Sequence, residues 1–255
     1  MIKNKKGIIF GIANDHSIAW GIAKKLSENG AELILAYQNE TLLKRVEPLA
    51  KKLNNSFLIE CDLNQEGSLN KCFEIVEDKF QKIDFVIHAV AFSDKAELNG
   101  RYISTSKENF IKTLNISCFS FTEIAKLSSK ILNEGGSLLT LTFYGSNKVV
   151  PNYNVMGIAK AALETSVKYL SVDLGKKKIR VNAISASPMR TLSGAAITNS
   201  RNIFNYTKKN SALKRNVELN EIGNSALYFV SDLSKAITGE IHYVDCGFNI
   251  IGIPK

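Results

Sequence analysis

Short apolar runs alternate with longer amphipathic stretches along the chain, and this alternation is the feature that most limits the possible folds. The stretches between the runs have the periodicity of helices. Strands that alternate with helices form a parallel sheet with right-handed crossovers. The sequence therefore predicts an α/β fold with a doubly wound parallel sheet of about seven strands. The predicted strands are Gly7–Phe10, Glu32–Tyr37, Ser56–Glu60, Asp84–His88, Ser137–Phe143, Arg180–Ser185 and Glu240–Asp245.

Ligands bind to such a sheet outside the carboxyl ends of its strands. Small or polar residues follow five of the predicted strands, namely the turn that starts at Gly11, Asp62, the segment that starts at Ala89, and the residues after Phe143 and after Ser185. A chain of 255 residues without a linker-like change of composition suits one large domain. We therefore expect a single domain over residues 1–255 with one ligand site at this edge.

The turn after the first strand carries Gly11, Ala13, Ser17 and Ile18 and leads into an amphipathic helix. A strand, a glycine-containing turn and a helix together present backbone N–H groups to a phosphate. The pattern departs from G-x-G-x-x-G because Ala13 occupies the middle glycine position. We expect Ser17 to cap the helix and to offer a hydroxyl to a pyrophosphate. Glycine turns before helices are common, so an ordinary turn remains an alternative.

The second and third strands end in residues suited to the adenosine part of a dinucleotide. Gln38 ends the second strand, where an Asp would bind both ribose hydroxyls and an Arg would accept a 2′-phosphate. Because Gln38 is neutral, it favours NADH over NADPH only slightly. Asp62 and Leu63 end the third strand, where the chain would surround an adenine ring. Alternatively, Asp62 caps the helix predicted at 67–79.

Tyr153 and Lys160 lie seven positions apart at the start of a helical pattern. Seven residues are close to two helical turns, so both side chains are predicted to point to one face. An ammonium held near a phenol lowers the phenol pKa. Such a phenol can donate a proton or stabilise an oxyanion. The alternative is a pair of half-exposed surface residues on an ordinary helix.

Composition excludes several other classes of function. The net charge of +9 permits an acidic partner, but the lysines are dispersed and no zinc-finger or RNA-binding motif is present, so nucleic-acid binding is not expected. We expect neither a signal peptide nor a membrane span, which favours the cytoplasm. The four cysteines lack C-x-x-C spacing and are predicted to be reduced. The three histidines are far apart, so no metal site is expected.

Several strings of residues, in this order, resemble those of the short-chain dehydrogenase/reductases, and closely those of the bacterial NADH-dependent enoyl-acyl-carrier-protein reductases of the FabI type. The resemblance runs from about Gly7 to Pro254. The interval between Tyr153 and Lys160 is longer than in general members of the superfamily, which favours the enoyl reductase branch. The most specific strings are Gly11–Asn14 with Ser17–Ala19, Tyr37–Asn39, Cys61–Asp62, Pro151–Lys160, Arg180–Ser185, Pro188–Leu192 and Thr238–Ile250.

The resemblance implies a Rossmann-type fold and the reduction of enoyl-acyl-carrier-protein thioesters by NADH in fatty acid elongation. Hydride would reach C3 of the trans-2-enoyl thioester and leave an enolate. Tyr153 would hydrogen-bond the enolate oxygen, and Lys160 would hold the nicotinamide ribose and supply positive charge. The other residues that the resemblance places at the cofactor are Gly11, Ala13, Ser17, Ile18, Gln38, Asp62, Leu63, Val90, Ala91 and Thr191, and those that it places at the substrate are Phe143, Tyr144, Met156 and Ile197.

Residues 191–210 correspond to the mobile substrate-binding lid of this family. Basic residues lie in or just after it, and acyl carrier protein is acidic, so they are either a docking patch or a solvated basic face. The helices predicted at 107–130 and 155–175 would pack against other subunits in a homotetramer, although their apolar faces also suit an ordinary core. The basic residues are Arg201, Lys208, Lys209, Lys214 and Arg215.

Four positions depart from the usual family pattern. Phe143 replaces a tyrosine, Ala91 and Ser187 replace glycines, and Ser200 replaces an aromatic residue of the lid. These changes affect the expected acyl chain length and inhibitor fit, and they leave Tyr153 unchanged. Two alternative functions stay open, another short-chain reductase and a weakly catalytic paralogue that binds dinucleotide. A ketone reductase is expected to keep a Ser, Tyr and Lys trio at the shorter spacing, which this chain lacks.

Overall fold

The computed structural model describes residues 1–195, 197 and 200–253, and in this part of the chain one sheet of seven parallel strands is the central element. The strand order is β3-β2-β1-β4-β5-β6-β7. This order confirms the predicted doubly wound α/β fold, because the chain runs outward from β1 in one direction and then returns to continue from β4 in the other. The strands are β1 (Lys6–Phe10), β2 (Glu32–Tyr37), β3 (Ser56–Glu60), β4 (Ile83–His88), β5 (Leu132–Thr142), β6 (Arg180–Ala186) and β7 (Ile241–Val244).

Helices cover both faces of the sheet. Apolar residues of α1, α2 and α9, such as Ile22, Val46 and Phe229, form one core layer. Residues of α3, α5 and α6, such as Val76 and Leu163, form the other. The helices are α1 (Ile18–Glu28), α2 (Glu40–Ala50), α3 (Ser68–Phe80), α4 (Lys107–Leu114), α5 (Ser120–Ser128), α6 (Val155–Gly175), α7 (Leu192–Ala195), α8 (Ser200–Asn210) and α9 (Leu219–Val230).

The helix predicted at 107–130 is interrupted by a π-helical turn at Asn115–Phe119, between α4 and α5. This turn directs Ser117 towards the chain that follows β4. The Ser117 hydroxyl donates to the carbonyl oxygen of Phe92 and accepts from its N–H, both at 2.9 Å. π-bulges are frequent at functional sites. Here the bulge fixes the backbone of the Ala89 segment.

Strand β5 begins at Leu132, five residues before the predicted start at Ser137. The register with β4 shifts between Ile83 and Phe85. Gly135, with φ of +80°, lies opposite this irregularity. Glycine tolerates the left-handed backbone of such a bulge. Gly135 and Gly136 interrupt the apolar pattern of this strand. The sequence therefore predicted a start for the strand that was too late.

None of the helices in the described ranges has both the length and the apolar composition of a membrane-crossing segment.

Candidate active site

A cavity of about 910 Å³ opens at the carboxyl ends of the central strands. Its walls come from the turn after β1, the segment after β4, the end of β5, the start of α6, and the chain from the end of β6 to α8. The sheet order makes β1, β4, β5 and β6 neighbours, so these distant segments meet at one edge. Of the predicted site residues, the walls include Gly11, Ala13, Ser17, Ile18, Val90, Ala91, Phe143, Tyr153, Met156, Lys160, Thr191 and Ile197.

The turn after β1 is held by a glycine and a serine. Gly11 has φ of +105°, and a Cβ atom at this position would collide with the carbonyl oxygen of Ala89. The Ser17 hydroxyl accepts from the backbone N–H groups of Ala13 at 3.0 Å and Asn14 at 3.1 Å. Ser17 occupies the N-cap position of α1, but its side chain makes no cap hydrogen bond. The prediction of a side-chain cap was therefore wrong, because the hydroxyl shapes the turn instead.

The amino terminus of α1 suits an anion. The first turn of this helix contains no acidic residue. The first N–H groups of a helix lack partners within the helix and carry a partial positive charge. Because Ser17 leaves them without a side-chain cap, they can bind a phosphate oxygen at the cavity wall. The donor set at this turn therefore fits a dinucleotide pyrophosphate.

Gln38, Asp62 and Leu63 lie outside the cavity walls, at the ends of β2 and β3. The Gln38 amide donates to the Asp62 carboxylate at 3.1 Å. The same oxygen accepts from the N–H of Asn64 at 2.9 Å. Helix α3 starts at Ser68 with Gly67 at its N-cap, so the alternative that Asp62 caps this helix is wrong. Leu63 packs against the apolar layer under the sheet.

Tyr153 and Lys160 are buried side chains of the cavity wall, with 7% and 6% of their surfaces exposed. This burial rules out the alternative of a half-exposed surface pair. Lys160 lies on α6, whereas Tyr153 precedes the helix, which begins at Val155. The backbone around Tyr153 turns through positive φ angles at Asn152 and Asn154. The predicted common helical face is therefore wrong, and a turn presents the tyrosine to the cavity.

Two glycines allow the Tyr153 ring to lie where it does. A Cβ atom at Gly145 would lie 2.7 Å from Cδ1 of Tyr153, and a Cβ atom at Gly157 would lie 2.9 Å from the carbonyl oxygen of Gly145. The Phe143 ring packs edge-on against Tyr153 with 5.1 Å between centroids. The loop after β5 and the start of α6 thus form a close-packed seat for the phenol.

Burial dominates the electrostatics of the pair. Loss of solvation raises the pKa of Tyr153 well above its ordinary value, and the charge of Glu164 raises it further. The predicted lowering by Lys160 was therefore wrong. Burial lowers the pKa of Lys160 to about 8, against the opposing effects of Cys118 and Glu164. Tyr153 is consequently a protonated hydrogen-bond donor at neutral pH.

A buried carboxylate joins the loop after β5 to α6. Glu164 accepts from Thr142 Oγ1 at 2.7 Å, from Ser146 Oγ at 2.5 Å and from Asn147 Nδ2 at 3.2 Å. Lys160, one turn earlier on the helix, donates from Nζ to the carbonyl oxygen of Leu141 at 2.8 Å. These bonds fix the start of α6 against β5. Only one of the three ammonium donors of Lys160 is used in this bond.

Apolar side chains line the part of the cavity beyond Tyr153. Phe143, Met156 and Ile197, three of the predicted substrate residues, are among them. Tyr144 lies outside the walls, with its ring edge-on against Phe143 at 4.6 Å and Phe248 at 5.1 Å. Further lining residues were not individually predicted. They are Leu98 and Val150, which belong to no periodic strand or α-helix pattern, and Ile203 and Phe204 on α8. Unpredicted polar or mixed lining residues include Asn14, His16, Ser93, Met189 and Arg190.

The predicted lid contains α7 and α8, which cover one side of the cavity. The Thr191 hydroxyl accepts from the N–H of Gly194 at 2.9 Å and so fixes the first turn. The Arg190 guanidinium lies over the Phe204 ring at 4.6 Å. Within the predicted lid, Ala196, Thr198 and Asn199 lie outside the described residues.

The basic residues of the lid region differ in their surroundings. Arg201, Lys208, Lys209 and Lys214 are exposed. Arg215 is engaged by Glu221 through two contacts of 2.6 and 2.8 Å. The free positive charge of this region therefore comes from the first four residues. No group of three potential metal ligands occurs within the described ranges.

Known proteins resemble the chain over its full length. A family model described as enoyl-(acyl carrier protein) reductase matches residues 11–249. An NADH-dependent enoyl-acyl-carrier-protein reductase of Rhizobium meliloti is 54% identical, over 100% of this chain and 95% of the relative. The FabI structure from Candidatus Liberibacter asiaticus has a TM-score of 0.97 at 53% identity, with 100% and 98% of the two chains covered. The reductase of Anaplasma phagocytophilum, solved in complex with NAD, has a TM-score of 0.96 at 51% identity, with 100% and 97% covered.

Proposed function

Because the chain belongs to the enoyl-(acyl carrier protein) reductase family, we propose that it reduces the trans-2 double bond of enoyl-acyl-carrier-protein thioesters with NADH in fatty acid elongation. The observation that carries this proposal is the position of Tyr153 and Lys160. Both are buried, and both line one cavity at the ligand edge of the sheet. Relatives that share half of the sequence over their whole length carry this activity in their names.

The cofactor would lie across the carboxyl ends of the strands. The turn from Gly11 to Ser17 and the amino terminus of α1 would hold the pyrophosphate. The Gln38–Asp62 pair, with Leu63, would border the adenosine, and Ala13, Ile18, Val90, Ala91 and Thr191 would border the rest of the dinucleotide. NADH, when bound, supplies the hydride. Every other contribution comes from the side chains of the chain itself.

Tyr153 would donate a hydrogen bond to the thioester oxygen. Its raised pKa keeps the phenol protonated, so this donor is present before the substrate arrives. The bond strengthens as negative charge develops on that oxygen, and it therefore stabilises the transition state more than the substrate. This role differs from that of a phenolate, because the tyrosine gives up no proton in the ground state.

Lys160 would bind the nicotinamide ribose and supply positive charge next to the developing enolate. One N–H of its ammonium is held by Leu141, which fixes the direction of the other two. The charge is buried, and a buried charge acts more strongly than one in water. The helix therefore supplies both the position and the electrostatic strength of this group.

The substrate would enter beneath the lid. We propose that residues 1–255 act as one catalytic domain, with residues 191–210 as the lid, and that Phe143, Met156 and Ile197 contact the acyl chain, with Tyr144 behind them. The exposed residues Arg201, Lys208, Lys209 and Lys214 would dock the acidic acyl carrier protein. Their common sign and their position beside the cavity support this role.

A homotetramer in the cytoplasm is the assembly that we propose. Large apolar side chains of the α4–α5 and α6 helices are exposed in the isolated chain, which supports burial against other subunits. They are Ile111, Phe119, Ile158, Tyr169 and Val172. The four cysteines, all described, form no disulfide, which suits a reducing compartment.

The direct test is the oxidation of NADH in the presence of crotonyl and longer enoyl thioesters. We expect turnover by the wild type, a large fall in kcat for Tyr153→Phe, and a loss of NADH affinity for Lys160→Met. Absence of thioester-dependent oxidation would refute the reductase. Binding of NADH without turnover would instead indicate a weakly catalytic paralogue, and turnover of ketones alone would indicate another short-chain reductase.

A further inference from the structure

Ser187 is a buried hydroxyl residue without a hydrogen-bond partner, and it lines the cavity. It directly follows β6, and 4% of its surface is exposed. Its Oγ atom is buried and makes no hydrogen bond. The backbone is fixed, because the Ser187 N–H donates to the carbonyl oxygen of Val244 at 3.0 Å. A buried hydroxyl left unpaired is uncommon and costly, so its presence at a ligand cavity requires a reason.

Neighbouring hydroxyls of the site are engaged in the protein itself. Ser17 Oγ shapes the turn after β1, Thr142 Oγ1 binds Glu164, and Thr191 Oγ1 accepts from Gly194. Ser187 differs because no bond holds its rotamer. A rotation about Cα–Cβ moves the hydroxyl between staggered positions without displacing the backbone. The group can thus turn to a ligand that brings a partner.

The sheet order identifies which part of the cofactor reaches Ser187. The turn that suits the pyrophosphate follows β1, and the Gln38–Asp62 pair lies at β2 and β3. The opposite half of a dinucleotide therefore lies over β4, β5 and β6. Lys160 borders the end of β5, and Ser187 follows β6. The nicotinamide end is the end that approaches Ser187.

We propose that the Ser187 hydroxyl forms a hydrogen bond with the carboxamide of the nicotinamide ring and helps to position the ring for hydride transfer. This inference rests on the proposed function. A carboxamide has both an acceptor oxygen and donor N–H groups, so a hydroxyl can pair with either.

Ser185 offers a matched control. It lies on β6, two residues before Ser187, and its hydroxyl is also buried and unpaired. It is absent from the cavity walls. Replacement of either serine by alanine removes the same single oxygen atom. Only the Ser187 variant should alter cofactor binding.

The experiment compares NADH with ADP-ribose, which lacks the nicotinamide ring, as ligands of wild type, Ser187→Ala and Ser185→Ala. For Ser187→Ala we expect the Kd for NADH to rise about five- to tenfold, the effect of one net hydrogen bond. The Kd for ADP-ribose should not change. Ser185→Ala should bind both ligands like the wild type. Without ligand, Ser187→Ala should melt at the same or a higher temperature, because it removes an unpaired polar group.

Three results would overturn the assignment of Ser187. They are an unchanged Kd of Ser187→Ala for NADH, an equal weakening of both ligands, and a lower melting temperature of the ligand-free variant, which would indicate a structural role. Each of these leaves the reductase intact if the wild type oxidises NADH with an enoyl thioester. Failure of the wild type to bind NADH would refute the proposed function itself.

Discussion

At the scale of single residues, burial decides the chemistry of the site. The Tyr153–Lys160 spacing alone predicted a phenol with a lowered pKa. In the structure both groups lose solvation, so the pKa of Tyr153 rises and that of Lys160 falls. The cavity wall therefore contains a neutral donor, Tyr153, and a cation, Lys160, whose pKa lies near physiological pH.

The pKa of Lys160 predicts a pH dependence of NADH use. This pKa, about 8 in the folded protein, lies below the ordinary lysine value, so the ammonium is charged below about pH 8 and neutral above it. If the charge binds cofactor, kcat/KM for NADH should fall about tenfold per pH unit above that pKa. Steady-state kinetics across this range measure it. The Lys160→Arg variant stays charged, so any remaining kcat/KM for NADH should not fall above pH 8. A wild-type kcat/KM that stays constant well above pH 8 would contradict the proposed role of the Lys160 charge.

A second titratable residue lies under the site. His88 is fully buried between Thr140 at 2.8 Å and Ser120 at 2.9 Å. Burial, aided by the charge of Lys160, lowers the pKa of His88 to about 3. Between the ordinary histidine pKa and about 3 the unfolded chain binds a proton that the folded chain does not. Acidification through this window therefore favours unfolding.

The contribution of His88 to the free energy of unfolding is present above about pH 6.5 and is lost as the pH falls. We expect the free energy of unfolding to fall by roughly 1.4 kcal/mol per pH unit below about pH 6 from this group. Urea unfolding at several pH values measures the slope. His88→Gln should reduce the slope, whatever its effect on absolute stability. An identical slope in both proteins would mean that His88 is protonated in the native state.

At the scale of elements, close backbone contacts place the helices that carry the site. Helix α1, whose amino terminus faces the cavity, packs on α9 at two glycines. A Cβ atom at Gly223 would lie 2.9 Å from the carbonyl oxygen of Gly21 and 2.8 Å from Cβ of Lys25. The close approach of α1 and α9 therefore depends on the absence of a side chain at Gly223.

Gly223→Ala tests this contact. We expect it to lower the free energy of unfolding by about 1–3 kcal/mol, since the helices must separate. Gly175→Ala is the control, because a Cβ there meets no atom within 4 Å. It should be neutral or stabilising by up to about 1 kcal/mol, because alanine favours the helix. Chemical denaturation compares the two, and equal effects would exclude the packing explanation.

The lid helix α8 carries three of the proposed docking residues, namely Arg201, Lys208 and Lys209. Replacement of Lys208 and Lys209 by glutamate should raise KM for the acyl-carrier-protein substrate roughly five- to thirtyfold, since the two lost surface attractions are together worth about 1–2 kcal/mol. KM for a small thioester should stay unchanged. Lys71→Glu on α3 is the control for a change of charge away from the lid. Equal effects on the two substrates would indicate that the basic face is merely solvated.

At the scale of the whole molecule, α6 has an exposed apolar face that another subunit could bury. Tyr169 and Val172 expose 73% and 75% of their surfaces. We expect Tyr169→Glu with Val172→Glu to convert the proposed tetramer into smaller species while the circular dichroism spectrum stays native. Light scattering after size exclusion measures the mass. Ile75→Glu, an exposed position of α3, should leave the mass unchanged, and a wild type that is monomeric would refute the assembly.

The order of residues along the chain was enough to predict the parallel sheet and the edge of the sheet at which the site lies. Strand-like runs that alternate with helices leave few topologies, and the residues after those runs had to meet at one edge. That reasoning predicted that the Gly11 turn, the Ala89 segment and the residues after Phe143 and Ser185 meet at one edge, where the cavity lies. The pattern was weakest at Gly135 and at the π-turn, where local backbone departs from a regular period.

The protonation and the hydrogen bonds of the site residues became clear from the three-dimensional structure alone, because solvation and hydrogen-bond partners depend on contacts between distant segments. In the structure Tyr153 lies in a turn before α6 and not on the helix. The Ser17 hydroxyl binds the turn after β1, and Arg215 forms an ion pair with Glu221. The structure also leaves the Ser187 hydroxyl without a partner. Residue type and order determine which groups can lie close together, whereas packing determines their protonation states and which of their donors and acceptors stay unpaired.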